Sequence, residues 1–174
     1  MVEDIWTHHN PVRITSGPGT LRHLTELIPD SGTLLLVTSP GFTRRGLTDR
    51  LCKDLGPNRV LLQDQTNPNP DLDDLDRISR QYQTSGICGI IALGGGSVLD
   101  AGKVLGAILN SRHSRSLDSR LRQGQAEGWK QAIPITAIPT TSGTGAEVTP
   151  FATVWDGIQH TKHSLSGEKV RPEQ

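Results

Sequence analysis

At 174 residues the chain is long enough for one domain with a core and too short for two large ones. Its 18 Lys and Arg residues balance 18 Asp and Glu, and no basic block stands out, which removes the electrostatic footprint of a nucleic-acid binder. No run approaches a membrane span, and the N-terminal MVEDIWTHHNP has neither the basic region nor the apolar core of a signal peptide; a soluble, cytoplasmic protein is expected.

The elements follow in order. Residues 12–15 (VRIT) read as a short strand, and Gly17, Pro18 and Gly19 punctuate a turn before a helix with Leu21, Leu24 and Leu27 or Ile28 on one face. Residues 33–38 (TLLLVT) are a continuous apolar run of the kind buried on both faces of a parallel sheet. Residues 42–55 carry helical periodicity, with Leu47, Leu51 and Leu55 on one side and charged residues opposite. Residues 59–63 form the next strand, and TNPNP at 66–70 is a rigid loop that continues neither element. Asp71 caps a helix running to about Thr84. The further aspartates at 73, 74 and 76 suit the positive end of the helix dipole, a simpler account than a metal site. Cys52 and Cys88, in a helix and a strand, read as reduced structural thiols, with a disulfide as the alternative.

Residues 87–93 form a strand that runs into LGGGSVLDAGK, Leu93 to Lys103, and then into a helix with Val98, Ala101, Leu105, Ile108 and Leu109 at helical spacing. A glycine triplet between strand and helix lets the main chain approach a ligand, and the helix start offers unpaired N–H groups to a phosphate. It is not the G-x-G-x-x-G fingerprint, and Ser97 as a plain N-cap of an empty turn is the competing account. Residues 111–131 read as an exposed, mobile polar loop, and 133–138 (IPITAI) as a strand. PTTSGTGAEVT at 139–149 then places hydroxyls of Thr140, Thr141, Ser142 and Thr144 around two glycines, either a second ligand loop or a self-capped turn. A hairpin is expected over about 147–167. The alternation of strand and helix gives a single α/β domain, 1–174, with a Rossmann-like parallel sheet flanked by helices and a terminal β-hairpin.

The two motifs, GGGSVLDAGK and PTTSGTGAEVT, resemble the paired signatures of the iron-dependent (group III) alcohol dehydrogenase family, in the family's order and spacing. NPVRITSGPGTL and the Asn67 to Pro70 loop resemble the same family's N-terminal domain. Dehydroquinate synthases share the architecture, but Ser97 and the hydroxyl-rich turn fit the dehydrogenases better. The resemblance implies an oxidoreductase that moves a hydride between a nicotinamide cofactor and a small alcohol or aldehyde. It implies Gly95, Gly96 and Ser97 at the pyrophosphate, and Asn69, Thr140, Thr141 and Thr144 as further cofactor contacts. Lys162 would reach toward the nicotinamide end, and Asp100 and Lys103 would be supporting catalytic residues. On a helical wheel those two face away from the sheet, where an ordinary solvated ion pair is the alternative.

Many NAD-using members carry an acidic residue where this chain has Ser39; serine, with Arg44 or Arg45 in reach, tilts the expectation from NAD toward NADP. Gly102 replaces a signature alanine, a small expected cost in helix propensity. EVTPFATVWD and KHSL look most like a branch associated with phosphonate metabolism, with phosphonoacetaldehyde as a candidate substrate. Full-length members bind a divalent metal, iron or zinc, through an aspartate and histidines of a C-terminal helical domain that these 174 residues do not contain. The histidines at 8, 9, 23, 113, 160 and 163 do not reproduce that set, so the chain is expected to have no metal site and to be inactive alone. A non-catalytic nucleotide-binding or interaction module is the alternative function. Homo-oligomers are a possible association state, with no nucleic-acid or membrane partner.

Overall fold

The computed structural model describes residues 9–109, 117–123 and 132–174. Four strands form a parallel sheet in the order β2-β1-β3-β4: β1 (Thr33–Thr38), β2 (Val60–Gln63), β3 (Ile87–Gly94) and β4 (Ile135–Pro139). α1 (Pro40–Arg44) and α2 (Leu47–Leu55) connect β1 to β2, α3 (Leu72–Tyr82) connects β2 to β3, and α4 (Gly96–Leu109) leaves β3. α5 (Leu117–Leu121) precedes β4, and β5 (Phe151–Asp156) pairs antiparallel with β6 (Thr161–Ser166) in a separate hairpin.

The sheet is buried on both faces because its central strands carry no polar alternation. Leu34, Leu35, Leu36 and Val37 are fully buried. Successive side chains point to opposite faces, so Leu35, Val37 and Ile90 join α3, α4 and the hairpin, while Leu34, Leu36, Ile91 and Leu93 join the N-terminal segment and α2. Each such leucine contributes about 1.5–3 kcal/mol through the water it leaves. α3 starts as the sequence indicates: the Asp71 carboxylate accepts from the N–H groups of Asp73 (2.9 Å) and Asp74 (3.3 Å).

Several expectations need correcting. Residues 12–15 form no strand; only the Arg13 N–H finds a ladder-like partner, Glu173 O at 3.1 Å. The outer edge of β4 is taken instead by the chain end, through Glu173 N to Ile135 O (3.0 Å) and Ala137 N to Gln174 O (2.7 Å). The first helix is a 3-10 helix, Thr20–Glu26, and the three-residue spacing of Leu21, Leu24 and Leu27 suits its three residues per turn. The helix expected over 42–55 is two helices, broken at Gly46, whose φ of 73° ends one and precedes the other. Within the stretch expected to be a mobile loop, Leu117–Leu121 is a packed helix with Leu117 fully buried; 111–116 and 124–131 lie outside the described residues. Its anchor is a bond from Leu117 N to the buried Asp76 carboxylate (2.8 Å). Cys52 and Cys88 are free thiols.

Candidate cofactor-binding site

Parallel register brings the carboxyl ends of β1, β3 and β4 to one edge of the sheet. Thr38 stands opposite Leu93, and Gly94 opposite Pro139. The buried Thr38 hydroxyl donates to Leu93 O (2.7 Å), and Thr140 N donates to Gly94 O (3.0 Å), so the glycine turn and the hydroxyl-rich loop start side by side. They touch closely. A Cβ on Gly95 would stand 3.1 Å from Thr141 Oγ1, and one on Gly96 3.0 Å from Thr144 Cγ2, so a larger residue at either position would press the two loops apart.

The third wall is the TNPNP loop. Asn69 adopts a left-handed φ of 57° and donates its N–H to Ser97 Oγ (3.2 Å), while Thr66 N donates to Thr38 O (3.3 Å). Ser97 therefore ties α4 to the loop that carries Asn69. α4 opens at Gly96, so its first N–H groups have no acceptor within the helix and face the same cleft with the positive end of the dipole. Thr140, Thr141 and Thr144 are exposed along it. Ser39 ends β1 and precedes α1 without a capping bond from its side chain, and Arg44 and Arg45 lie exposed beyond it, Arg45 stacked 4.7 Å from the Phe42 ring.

The hairpin closes the far side. Trp155 N donates to Pro70 O (2.9 Å), and Gly157 N to the same Asp71 carboxylate that caps α3 (3.3 Å). Lys162 is paired with Trp155 across the hairpin and holds its ammonium 4.1 Å from the indole centroid.

Asp100 and Lys103 lie on the side of α4 that the helical wheel gives them. They do face away from the sheet, but not into solvent: the hairpin covers them. Lys103 is 0% exposed and donates to Thr149 O (3.0 Å) and Phe151 O (2.7 Å), while the Asp100 carboxylate accepts from Thr153 N (3.0 Å) and lies 3.9 Å from the ammonium. Burial pushes the Lys103 pKa down, against the pull of Asp100 and Glu147, and burial likewise raises that of Asp100. Their polar atoms are engaged within the chain.

One cluster was not read from the sequence. Asp156, with no exposed side-chain surface, accepts two bonds from Arg122 (2.7 and 2.9 Å) and the N–H groups of Ile158 and Gln159, with His163 at 3.5 Å. Arg122 also reaches Asp73 and Asp118, so α3, α5 and the hairpin meet at one guanidinium. The signal was present in FATVWD: alternation buries Ala152 and Val154, which places Asp156 on the same inward face and demands a cation.

The iron-containing alcohol dehydrogenase profile matches residues 11–174. The chain belongs to that family. Choline dehydrogenase of Bacillus subtilis is 32% identical over 169 residues, covering 94% of this chain and 42% of that protein. Phosphonoacetaldehyde reductase of Streptomyces viridochromogenes is 38% identical over 145 residues, covering 78% and 35%. Among solved structures, sulfoacetaldehyde reductase of Bifidobacterium kashiwanohense in complex with NAD+ superposes with a TM-score of 0.84 at 26% identity, covering 97% of this chain and 44% of that one. The chain thus spans less than half the length of the relatives it matches.

The family's nicotinamide cofactor fits the cradle just described. Among the described residues no three His, Cys, Asp or Glu side chains converge as a metal-ligand set. His160 is exposed in the hairpin turn, and His163 leans on Asp156. No helix of the described residues is long and apolar enough to cross a membrane. A cavity of about 460 Å³ lies elsewhere, beside β4 and the 3-10 helix, lined by Leu21, Leu24, Leu27, Ile138, Glu147 and Val148. The cavity reaches the second motif at Pro139, Glu147 and Val148, whereas Gly95, Gly96, Thr141 and Thr144 meet at the cleft.

Proposed function

We propose that this chain binds a nicotinamide dinucleotide in the cleft and is the cofactor-binding part of an alcohol or aldehyde oxidoreductase. The observation that carries the reading is the contact of Gly95 and Gly96 with Thr141 and Thr144 at the carboxyl ends of β3 and β4, where open α/β sheets hold their ligands. The N–H groups at the start of α4 receive the pyrophosphate, Asn69 and the threonine hydroxyls flank it, and Lys162 stands at the nicotinamide end. The bound nicotinamide supplies or accepts the hydride.

Ser39 meets the adenosine ribose. Lacking a carboxylate, it leaves room for a 2′-phosphate that Arg44 or Arg45 would neutralise, which favours NADP over NAD. Two relatives named for reducing small aldehydes with an anionic group, phosphono and sulfo, support a substrate of that class. With no cluster of three His, Cys, Asp or Glu among the described residues, the reading has the chain bind cofactor without turning over substrate by itself.

Thermal unfolding with increasing NADPH or NADH tests the reading. At one hundred times Kd, binding stabilises by about 2.7 kcal/mol, which for a domain of this size raises Tm by about 5–10 °C. An unchanged Tm at millimolar concentrations of both cofactors refutes it.

A further inference from the structure

β5 has one edge that its hairpin partner does not cover. β6 pairs along one side of β5, and the other side exposes a row of main-chain groups that must find partners or invite another strand. Among the described residues no strand of either sheet pairs there, and an isolated parallel bridge joins Asp71 to Trp155. Phe151 O accepts from Lys103, Thr153 N donates to Asp100 and Trp155 N donates to Pro70 O, while Thr149 O, just before the strand, takes a second bond from Lys103. Alternate residues of an extended chain present their main-chain groups on the same side, so two side chains one helical turn apart on α4 serve as a substitute strand. The next bond along the edge comes from the Asn69 loop.

Both of these holders belong to the cofactor cleft. α4 begins at the glycine turn, and the Asn69 loop is tied to Ser97. The hairpin in turn carries Lys162, its ammonium over Trp155, and the Phe151 ring, 56% exposed where the hydroxyl-rich loop ends. Lys103 is fully buried, and its ammonium donates to the main-chain oxygens of Thr149 and Phe151 beside the Asp100 carboxylate.

We propose that Asp100 and Lys103 are positioning residues that clamp the outer edge of β5 to the helix of the glycine turn and thereby set where Lys162 stands over the cleft. The part concerning Lys162 rests on the dinucleotide reading above; the clamp itself does not.

The test uses the 174-residue chain and two variants, Lys103→Met and Asp100→Ala, the second at a partly exposed position where a small residue is tolerated. Amide hydrogen exchange in 151–166 is expected to speed up at least about tenfold while β1 and β3 keep their protection. Unchanged hairpin exchange in both variants overturns the clamp. If Lys103→Met also loses the protection of β1 and β3, Asp100→Ala decides.

Cofactor titration supplies the second readout. Lys162→Ala is expected to weaken NADPH or NADH binding about tenfold in the wild-type background, the scale of one charge-assisted contact, and less than about twofold when combined with either clamp variant. An equal loss in every background overturns the coupling, since a merely structural role leaves the two effects multiplicative. No binding by the wild-type chain overturns the cofactor reading and the coupling with it, and leaves exchange to judge the clamp.

Discussion

Gly102 stands in α4 where the family signature has alanine, and propensity alone says that restoring alanine stabilises the helix by about 1 kcal/mol. The packing says otherwise. A Cβ at 102 would lie 2.7 Å from the Cβ of Ala92 on β3, nearer than such atoms approach, and neither atom is the end of a flexible chain that could swing away. The helix would have to lift from the sheet, and overpacking of this kind costs about 1–3 kcal/mol. The net expectation for Gly102→Ala is a loss of about 1 kcal/mol, or 2–4 °C in Tm for a domain of this size. Ala92→Gly removes the opposing atom at about 1 kcal/mol in strand preference; the double variant should return to within about 1 kcal/mol of wild type, with a coupling of about 1–3 kcal/mol. Urea unfolding followed by circular dichroism measures all four chains. A stabilised Gly102→Ala, with Ala92→Gly adding independently, would falsify the argument.

Ser39→Asp should weaken NADPH binding by about tenfold or more, by placing a carboxylate against the 2′-phosphate, while sparing NADH; equal losses for both in parallel titrations would remove Ser39 from the ribose end. Ser97→Ala leaves the Asn69 N–H without its acceptor and should cost about 1 kcal/mol in urea unfolding as well as cofactor affinity; an unaltered affinity would argue against the Asn69 wall. Arg122 holds the Asp156 carboxyl below its ordinary 3.8, so the unfolded chain binds more protons than the folded one at acid pH. Stability from this group is present above about pH 4 and is lost as the pH falls below it. Asp100, raised by burial, acts in the opposite sense. The urea midpoint of the wild type should therefore fall below pH 4 more steeply than that of Asp156→Asn, and matching slopes would dismiss the Arg122 cluster as the acid-sensitive element. Purified chain with NADP, an alcohol and added Fe²⁺ or Zn²⁺ should show no cofactor reduction at 340 nm; metal-dependent turnover would refute the proposal that the chain is inactive by itself.

The parallel sheet was legible because its strands are short apolar runs that only burial on both faces explains, and Asp71 marks its helix by a bond that any aspartate at that position makes. The places of the two motifs were legible for a local reason too: each begins where its own strand ends. What the sequence hid is the work of residues distant along the chain. VRIT has the composition of a strand, but a strand exists only where a ladder partner runs beside it, and only Glu173 does. A helical wheel places Asp100 and Lys103 relative to the sheet and is silent about a hairpin some 50 residues later folding over them. Leu117 and Leu121 carry a helical period inside a stretch whose many arginines suggest solvent, and the structure matches Arg122 to three aspartates on other turns and elements.

The clamp on β5 touches carbonyl and amide groups, never a hairpin side chain. Positions 151, 153 and 155 are therefore under no obligation to α4 as to residue type, provided the main chain keeps its extended form. A library randomised at 151 and 153 should therefore stay folded with its hairpin exchange unchanged, whereas 155 also carries the indole that holds Lys162.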